Sequence, residues 1–123
     1  MTAKGRQIVA MRGEGGRVVC ERCELADGPV SRARGLLGRA GLSHGDGLLL
    51  KPTFSIHTFF MRFPIDVVFL DRDGAVVDVV SRLKPWRAAT RLRARAALEL
   101  AAGEAERVRV RVGERLKLEE AAA

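Results

Sequence analysis

At 123 residues, with no internal repeat and no interdomain linker, the chain reads as one domain over 1–123, large enough to bury about two-thirds of its unfolded surface. Its apolar runs fall far short of the roughly 18 residues of a membrane-spanning helix, which excludes a helical span. The net charge of +7 and pI of 10.7 keep an acidic partner or nucleic acid open, but 18 of the 22 basic residues are Arg in an Ala- and Gly-rich chain, so charge alone is a weak argument.

The first residues, Met1 to Arg6, lead into no hydrophobic signal core, so a cytoplasmic location is expected. Gln7 to Met11 reads as a first strand, Gly13 to Gly16 as a loop, and Arg17 to Leu25 as the next strand. The second strand contains Cys20-x-x-Cys23. A redox pair would place its first thiol at a helix N-terminus, where the dipole lowers the pKa, and this pair sits inside a strand. A metal site would have to recruit His44 and His57 at a spacing that matches no finger pattern. Regular alternation sends residues three apart to opposite faces, so the thiols are expected reduced and unbridged. No metal and no cofactor is expected.

Asp27-Gly28-Pro29 breaks the strand, and Ser31 is the expected N-cap of a short helix. Ala33, Leu36 and Leu37 give it an apolar face, Gly38 or Gly41 ends it, and Arg32, Arg34 and Arg39 flank it as solvated cations. Gly45-Asp46-Gly47 turns into a strand at Leu48 to Leu50. Another strand is expected from Phe54 to Met61, with His57 facing the same way as Phe59 and Met61.

The stretch from His57 to Gly74 holds four of the five Phe and one of the two His. Ile65 to Leu70 is a buried strand by composition, closing at Asp71-Arg72-Asp73-Gly74 and resuming as a partner strand at Ala75 to Val80. Asp66 falls on the face opposite Ile65, Val67 and Phe69. A carboxylate there needs an Arg or backbone N–H partners. It is either a structural Asp pinning the Pro64 corner or a site carboxylate. The candidate ligand-binding residues of this stretch are His57, Thr58, Met61, Arg62 and Asp66.

Between Arg82 and Arg95 lie six cations and no acid: Arg82, Lys84, Arg87, Arg91, Arg93 and Arg95, interrupted by Pro85-Trp86 with the only Trp. The alternation of Arg91, Arg93 and Arg95 with small and apolar residues places them on the outer face of a strand running to Leu100. They form either a solvated face or an anion-binding strip with Trp86 as a stacking surface. A short helix is expected at 104–108 and a final strand at Leu116 to Leu118, with Glu119 to Ala123 frayed.

Several of these segments, in order, resemble one family. Arg34-Gly35-Leu36-Leu37-Gly38-Arg39, Asp46-Gly47-Leu48-Leu49, Ile56-His57-Thr58-Phe59-Phe60-Met61 and Ile65-Asp66-Val67-Val68-Phe69-Leu70 are similar to DUF192 (UPF0127) proteins. Leu98-Glu99-Leu100 with Gly103, and Val112-Gly113-Glu114-Arg115-Leu116, resemble that family's C-terminal end, so the likeness spans about 17–119. The resemblance implies a compact, mostly β fold and no activity, since the family is of uncharacterised function.

The expected architecture is therefore mostly β: a compact, two-layer, β-sandwich-like domain with one or two short α-helices. With two His, no Tyr, no Gly-rich phosphate loop and no nucleophile elbow, the chain is poor in acid–base chemistry, which favours a non-catalytic module for a small ligand or peptide. The alternatives are an enzyme of hydrolase type using His57 and Asp66, and nucleic-acid or anion binding through Arg82 to Arg95. Nucleic acid is disfavoured by the lack of a motif and the scarcity of aromatics.

Overall fold

In the computed structural model, which describes residues 7–120, the period-two apolar segments become nine strands among the described residues, with two short helices between them. These are β1 (Gln7–Arg12), β2 (Val18–Ala26), α1 (Pro29–Arg34), β3 (Asp46–Leu50), β4 (Ser55–His57), β5 (Ile65–Leu70), β6 (Val76–Leu83), β7 (Ala88–Thr90), β8 (Ala96–Ala101), α2 (Glu104–Arg107) and β9 (Lys117–Glu120). Seven strands form one sheet in the order β6-β5-β8-β3-β2-β1-β9, and β4 and β7 form a second, two-stranded sheet. All neighbours are antiparallel except β2 and β3, whose crossover carries α1. No helix among the described residues is long and apolar enough to cross a membrane.

The large sheet curls until its two edges meet. Ala75, ahead of β6, bridges Arg115, ahead of β9, and the Val76 and Leu116 N–H groups donate at 2.8 Å to the carbonyls of Glu114 and Gly74. Facing stretches of the sheet's inner face thus cover each other, which gives the expected two layers. The enclosed cluster takes Val9, Cys20, Leu49, Val68, Leu98 and Leu100, with Ala105 and Val108 from the α2 segment. The other face buries Leu48, Ile65, Val67, Phe69 and Ala97 under Leu36, Ile56 and Met61. Because the central strands are covered on both sides, β5 and β8 are buried at every residue, charged ones included.

Several local expectations shift. The first helix is capped by Gly28 with Pro29 in its first turn, not by Ser31; Pro fits there because its missing N–H has no intrahelical acceptor. It ends at Gly35, whose φ of 50° and ψ of −129° leave the helix, so Leu36 enters the core from a turn. The strand expected from Phe54 to Met61 is regular only over Ser55–His57, because Phe60 adopts φ 67°. The strand running into Leu100 starts at Ala96, so Arg91, Arg93 and Arg95 lie on or beside a turn rather than on a strand face. Glu119 and Glu120 belong to β9, and 121–123 lie outside the described residues.

Candidate functional site

Thr58 ends β4, and its buried side chain explains how. Its Oγ1 donates to the Lys84 carbonyl at 2.6 Å and accepts the Arg87 N–H at 2.9 Å. Its backbone N–H donates to Arg87 O, and its carbonyl accepts the Trp86 N–H. One fully enclosed threonine thus clasps the 58–61 turn to the 84–87 turn. Thr58 has no surface to offer a ligand; it holds the residues on either side of it.

A cavity of about 100 Å³ opens between Ser55–His57, the Arg32–Leu37 segment and the sheet. Leu36, Leu50, Ile56 and Met61 give it apolar walls, and His57, Arg32 and Arg34 are among its polar lining groups. Glu99 of β8 is also part of the lining, although only 4% of it is exposed. Its register neighbours are Leu48 and Val67, which belong to this face of the sheet, so its side chain faces the cavity and not the enclosed core. Sequence reasoning missed Glu99 as a site residue. The available signal was a lone acid inside the apolar run Ala96 to Ala101.

His57 accepts the Phe59 N–H at Nδ1, 3.1 Å away, so in the neutral ring the proton sits on Nε2, which is a donor. The ring stacks on Phe59 at 4.8 Å between centroids. Phe59 in turn stacks on Trp86 at 6.1 Å, and Phe60 packs against Trp86 at 4.6 Å. A continuous row of rings therefore leads away from the cavity mouth. Arg62, which follows Met61 in the chain, is exposed.

Asp66 lies elsewhere. It is fully buried, with Oδ1 accepting the Arg82 N–H and Oδ2 the Ala105 N–H, both at 2.8 Å. Its register partner Leu100 belongs to the enclosed cluster, whereas His57 lines the cavity on the other face. The sheet separates the two residues, so the structure does not assemble them as a catalytic pair. Backbone amides, not an arginine, hold the carboxylate, and it ties the end of β6 to the start of α2.

The strip from Arg82 to Arg95 is divided among different environments. Arg91 Nε bonds Asp78 Oδ2 at 2.7 Å and the guanidinium lies over Phe69; this hydrogen bond, with help from the Val79 N–H, holds the Asp78 carboxyl below its ordinary range against partial burial. Arg95 donates to the carbonyls of Leu92 and Ala94, and Arg82 sits 3.8 Å from Glu106. Lys84, Trp86 and Arg87 stay together on the clasped turn, exposed.

One further cluster escaped sequence reasoning, and the cysteine pair departs from its expected facing. His44 Nδ1 lies 2.6 Å from Glu104 Oε2, and Arg107 grips both oxygens of that carboxylate at 2.7 and 2.8 Å. The Arg107 hydrogen bond, and then that of His44, hold Glu104 below the usual carboxylate range despite its burial. The cysteines, expected on opposite faces, both point into the enclosed cluster. Between Val9↔Cys23 and Met11↔Cys20 the register slips, so three steps on β2 match two on β1; this bulge returns both thiols to one side. They are free and buried, and hydrogen bonding with Cys20 together with burial pushes the Cys23 thiol up. No cluster of three or more potential metal ligands occurs among the described residues.

The chain matches the DUF192 family model, described as "Uncharacterized ACR, COG1430", over residues 9–118. It is 39% identical over 97 residues to a UPF0127 protein of Pyrococcus horikoshii, covering 76% of this chain and 84% of that protein. A UPF0127 protein of Pyrococcus abyssi is 40% identical over 72 residues, 54% of this chain and 58% of that one. Among solved structures, a Sinorhizobium meliloti protein, whose name offers transcription regulation as a candidate role, superposes with a TM-score of 0.83 at 24% identity, over 93% of this chain and 95% of that one. A protein of unknown function from Novosphingobium aromaticivorans gives 0.77 at 24% identity, over 89% and 83%. These two structural likenesses establish the shared fold.

Proposed function

The chain belongs to the DUF192 (UPF0127) family, and from that premise we propose that it is a non-catalytic binding module whose cavity beside His57 receives a small ligand or one side chain of a peptide. The observation that carries this reading is the cavity itself: apolar walls, a lining carboxylate at Glu99, and a histidine fixed by its neighbour's backbone. Small-molecule sites are typically concave and apolar with a few placed polar groups. The tautomer supports binding over catalysis. With Nδ1 occupied as an acceptor, His57 offers Nε2–H as a donor and has no free lone pair with which to take a proton. Neither hydroxyl flanking it in sequence is engaged with the imidazole: Thr58 Oγ1 bonds the Lys84 carbonyl and the Arg87 N–H, and Ser55 Oγ bonds Thr90 Oγ1 at 2.8 Å. His57, Met61 and Arg62 are the residues we assign to ligand contact, with Glu99 and Arg34 added to them; Thr58 and Asp66 support the scaffold.

The test is a binding screen with free amino acids and dipeptides, read by chemical-shift perturbation. The reading expects a ligand whose affinity falls about tenfold in His57→Ala, the loss of a buried hydrogen bond and its packing, with the unfolding midpoint unchanged. A panel of esters, peptides and glycosides should show no turnover. Turnover abolished by His57→Ala in a folded protein would replace the binding module with an enzyme.

A further inference from the structure

We infer that the occupant is an extended acidic peptide segment, laid along the open edge of β4 with one apolar side chain in the cavity and its neighbours on the ring row of Phe59, Phe60 and Trp86. This rests on the binding-module reading and names its partner.

Three independent features converge. The first is the edge. β4 pairs with β7 alone, and the cavity is lined by Ser55, Ile56 and His57 but by no residue of β7. On the edge away from β7, Thr53 Oγ1 accepts the Ser55 N–H and donates to its carbonyl, which leaves the main-chain groups of His57 as the ones on offer. An added strand takes main-chain hydrogen bonds from such an edge and sends alternate side chains into adjoining pockets. The second is the ring row. Phe59, Phe60 and Trp86 are 40%, 70% and 56% exposed, and Phe60 and Trp86 have φ of 67° and 66°. Bulky residues rarely adopt that region, and they persist there only when the surroundings over-determine them. The Thr58 clasp supplies that constraint, so the rings are held outward at a conformational cost and continue from the cavity through His57. The third is charge. Arg32 and Arg34 at the cavity, and Arg62, Lys84 and Arg87 around the rings, make no ion pair among the described residues. Glu99 is the one acid of the lining and is buried, so the surface an approaching chain meets is cationic. Aromatic and Arg side chains dominate the centres of protein interfaces, and uncompensated cations at the rim select acidic partners.

A single-stranded nucleic acid would also meet aromatics and cations, and the exposed aromatics are more numerous than the sequence suggested. Stacked bases need open ring faces. Here His57 stacks on Phe59 and Phe59 on Trp86 at interplanar angles of 24° and 28°, so part of those faces is already spent on a neighbouring ring. A side-chain cavity at a strand edge fits a peptide better.

The test uses the full chain and fluorescein-labelled six-residue peptides, capped at both ends, that alternate Glu with Leu or Met, followed by anisotropy. A Lys-for-Glu set, an oligothymidylate and vesicles containing phosphatidylserine serve as competing probes. The acidic set is expected to bind, with the Lys set at least about tenfold weaker and affinity falling as salt shortens the screening length to about 3 Å at 1 M. The double variant Phe60→Ala/Trp86→Ala and, separately, Arg62→Ala/Arg87→Ala should each weaken binding by about tenfold, as hot-spot truncations do, while leaving the unfolding midpoint in place because these side chains are exposed. Ala33→Trp, which fills the cavity, should weaken it similarly. Tighter binding of the oligothymidylate or the vesicles, dependent on Trp86, would overturn the peptide assignment. So would His57-dependent binding of free amino acids with no response from any peptide; that outcome leaves the cavity reading standing. Failure of both peptides and small ligands removes the two together.

Discussion

Asp66 brings a charge into a strand in which every residue is buried, and two backbone amides make that tolerable. Asp66→Asn keeps one acceptor oxygen but turns an NH₂ group toward an N–H donor. It should therefore destabilise the fold by about 1–3 kcal/mol, measured by urea unfolding at neutral pH. The need for such partners was legible in the sequence. Their identity was not, because Arg82 and Ala105 come from segments that only the curled sheet brings to either side of the carboxylate. Glu104 gives a pH-dependent counterpart. Its carboxyl is held below the ordinary value of 4.5 by Arg107 and then His44, against burial. A group with a depressed folded pKa contributes stability that is present above its unfolded pKa and is lost as pH falls through the folded one. Glu104→Gln should thus lower the urea midpoint clearly at pH 7 and progressively less below about pH 4.5, converging on the parent at strongly acid pH. A constant gap across that range would show that the carboxylate's charge is not what matters.

At the scale of single elements, the bulge in β2 carries the largest consequence. Strict alternation would put Cys20 and Cys23 on opposite faces, and one slipped register puts both in the core. Their reduced state then depends on enclosure and not on separation. In the native protein both thiols should resist Ellman's reagent for hours and react fully in denaturant, because both are enclosed and the Cys23 thiol is pushed up besides. Rapid native labelling of either would contradict the burial. The β4 segment teaches a related lesson. Composition from Phe54 to Met61 reads as one strand, yet a buried threonine and the left-handed Phe60 turn it into three strand residues and a clasped turn.

For the whole molecule, closure of the sheet sets the stability. Gly74 sits at the seam with φ of 85°, and a Cβ there would lie 2.6 Å from the Leu116 carbonyl oxygen. Gly74→Ala meets both a disfavoured backbone conformation and a collision with backbone across the seam. It should cost at least about 2 kcal/mol in urea unfolding, well above an ordinary Gly→Ala change. Gly15 also has positive φ but nothing within 4 Å of its would-be Cβ, so Gly15→Ala should cost distinctly less. If the two variants are equally destabilised, the seam contributes nothing beyond turn geometry.

The sequence by itself determined the mostly β composition, the paired strands around Asp73-Gly74, the short helix near 104 and the family to which the chain belongs, because period-two burial, turn chemistry and an ordered set of motifs are local signals. It also singled out His57 and Met61, through the density of unusual residues around them, and both line the cavity. The tertiary structure alone decided that Asp66 and His57 stand on opposite faces, that Glu99 belongs to the cavity lining, and that Phe59, Phe60 and Trp86 form one surface. The physical reason is sequence distance. The cavity joins segments near 35, 56 and 99, and the clasp joins 58 to 84–87, so neither exists until the sheet has curled and β7 has paired with β4. Local patterning specifies which face of a strand is apolar, but what meets that face is set by the closure of the whole chain.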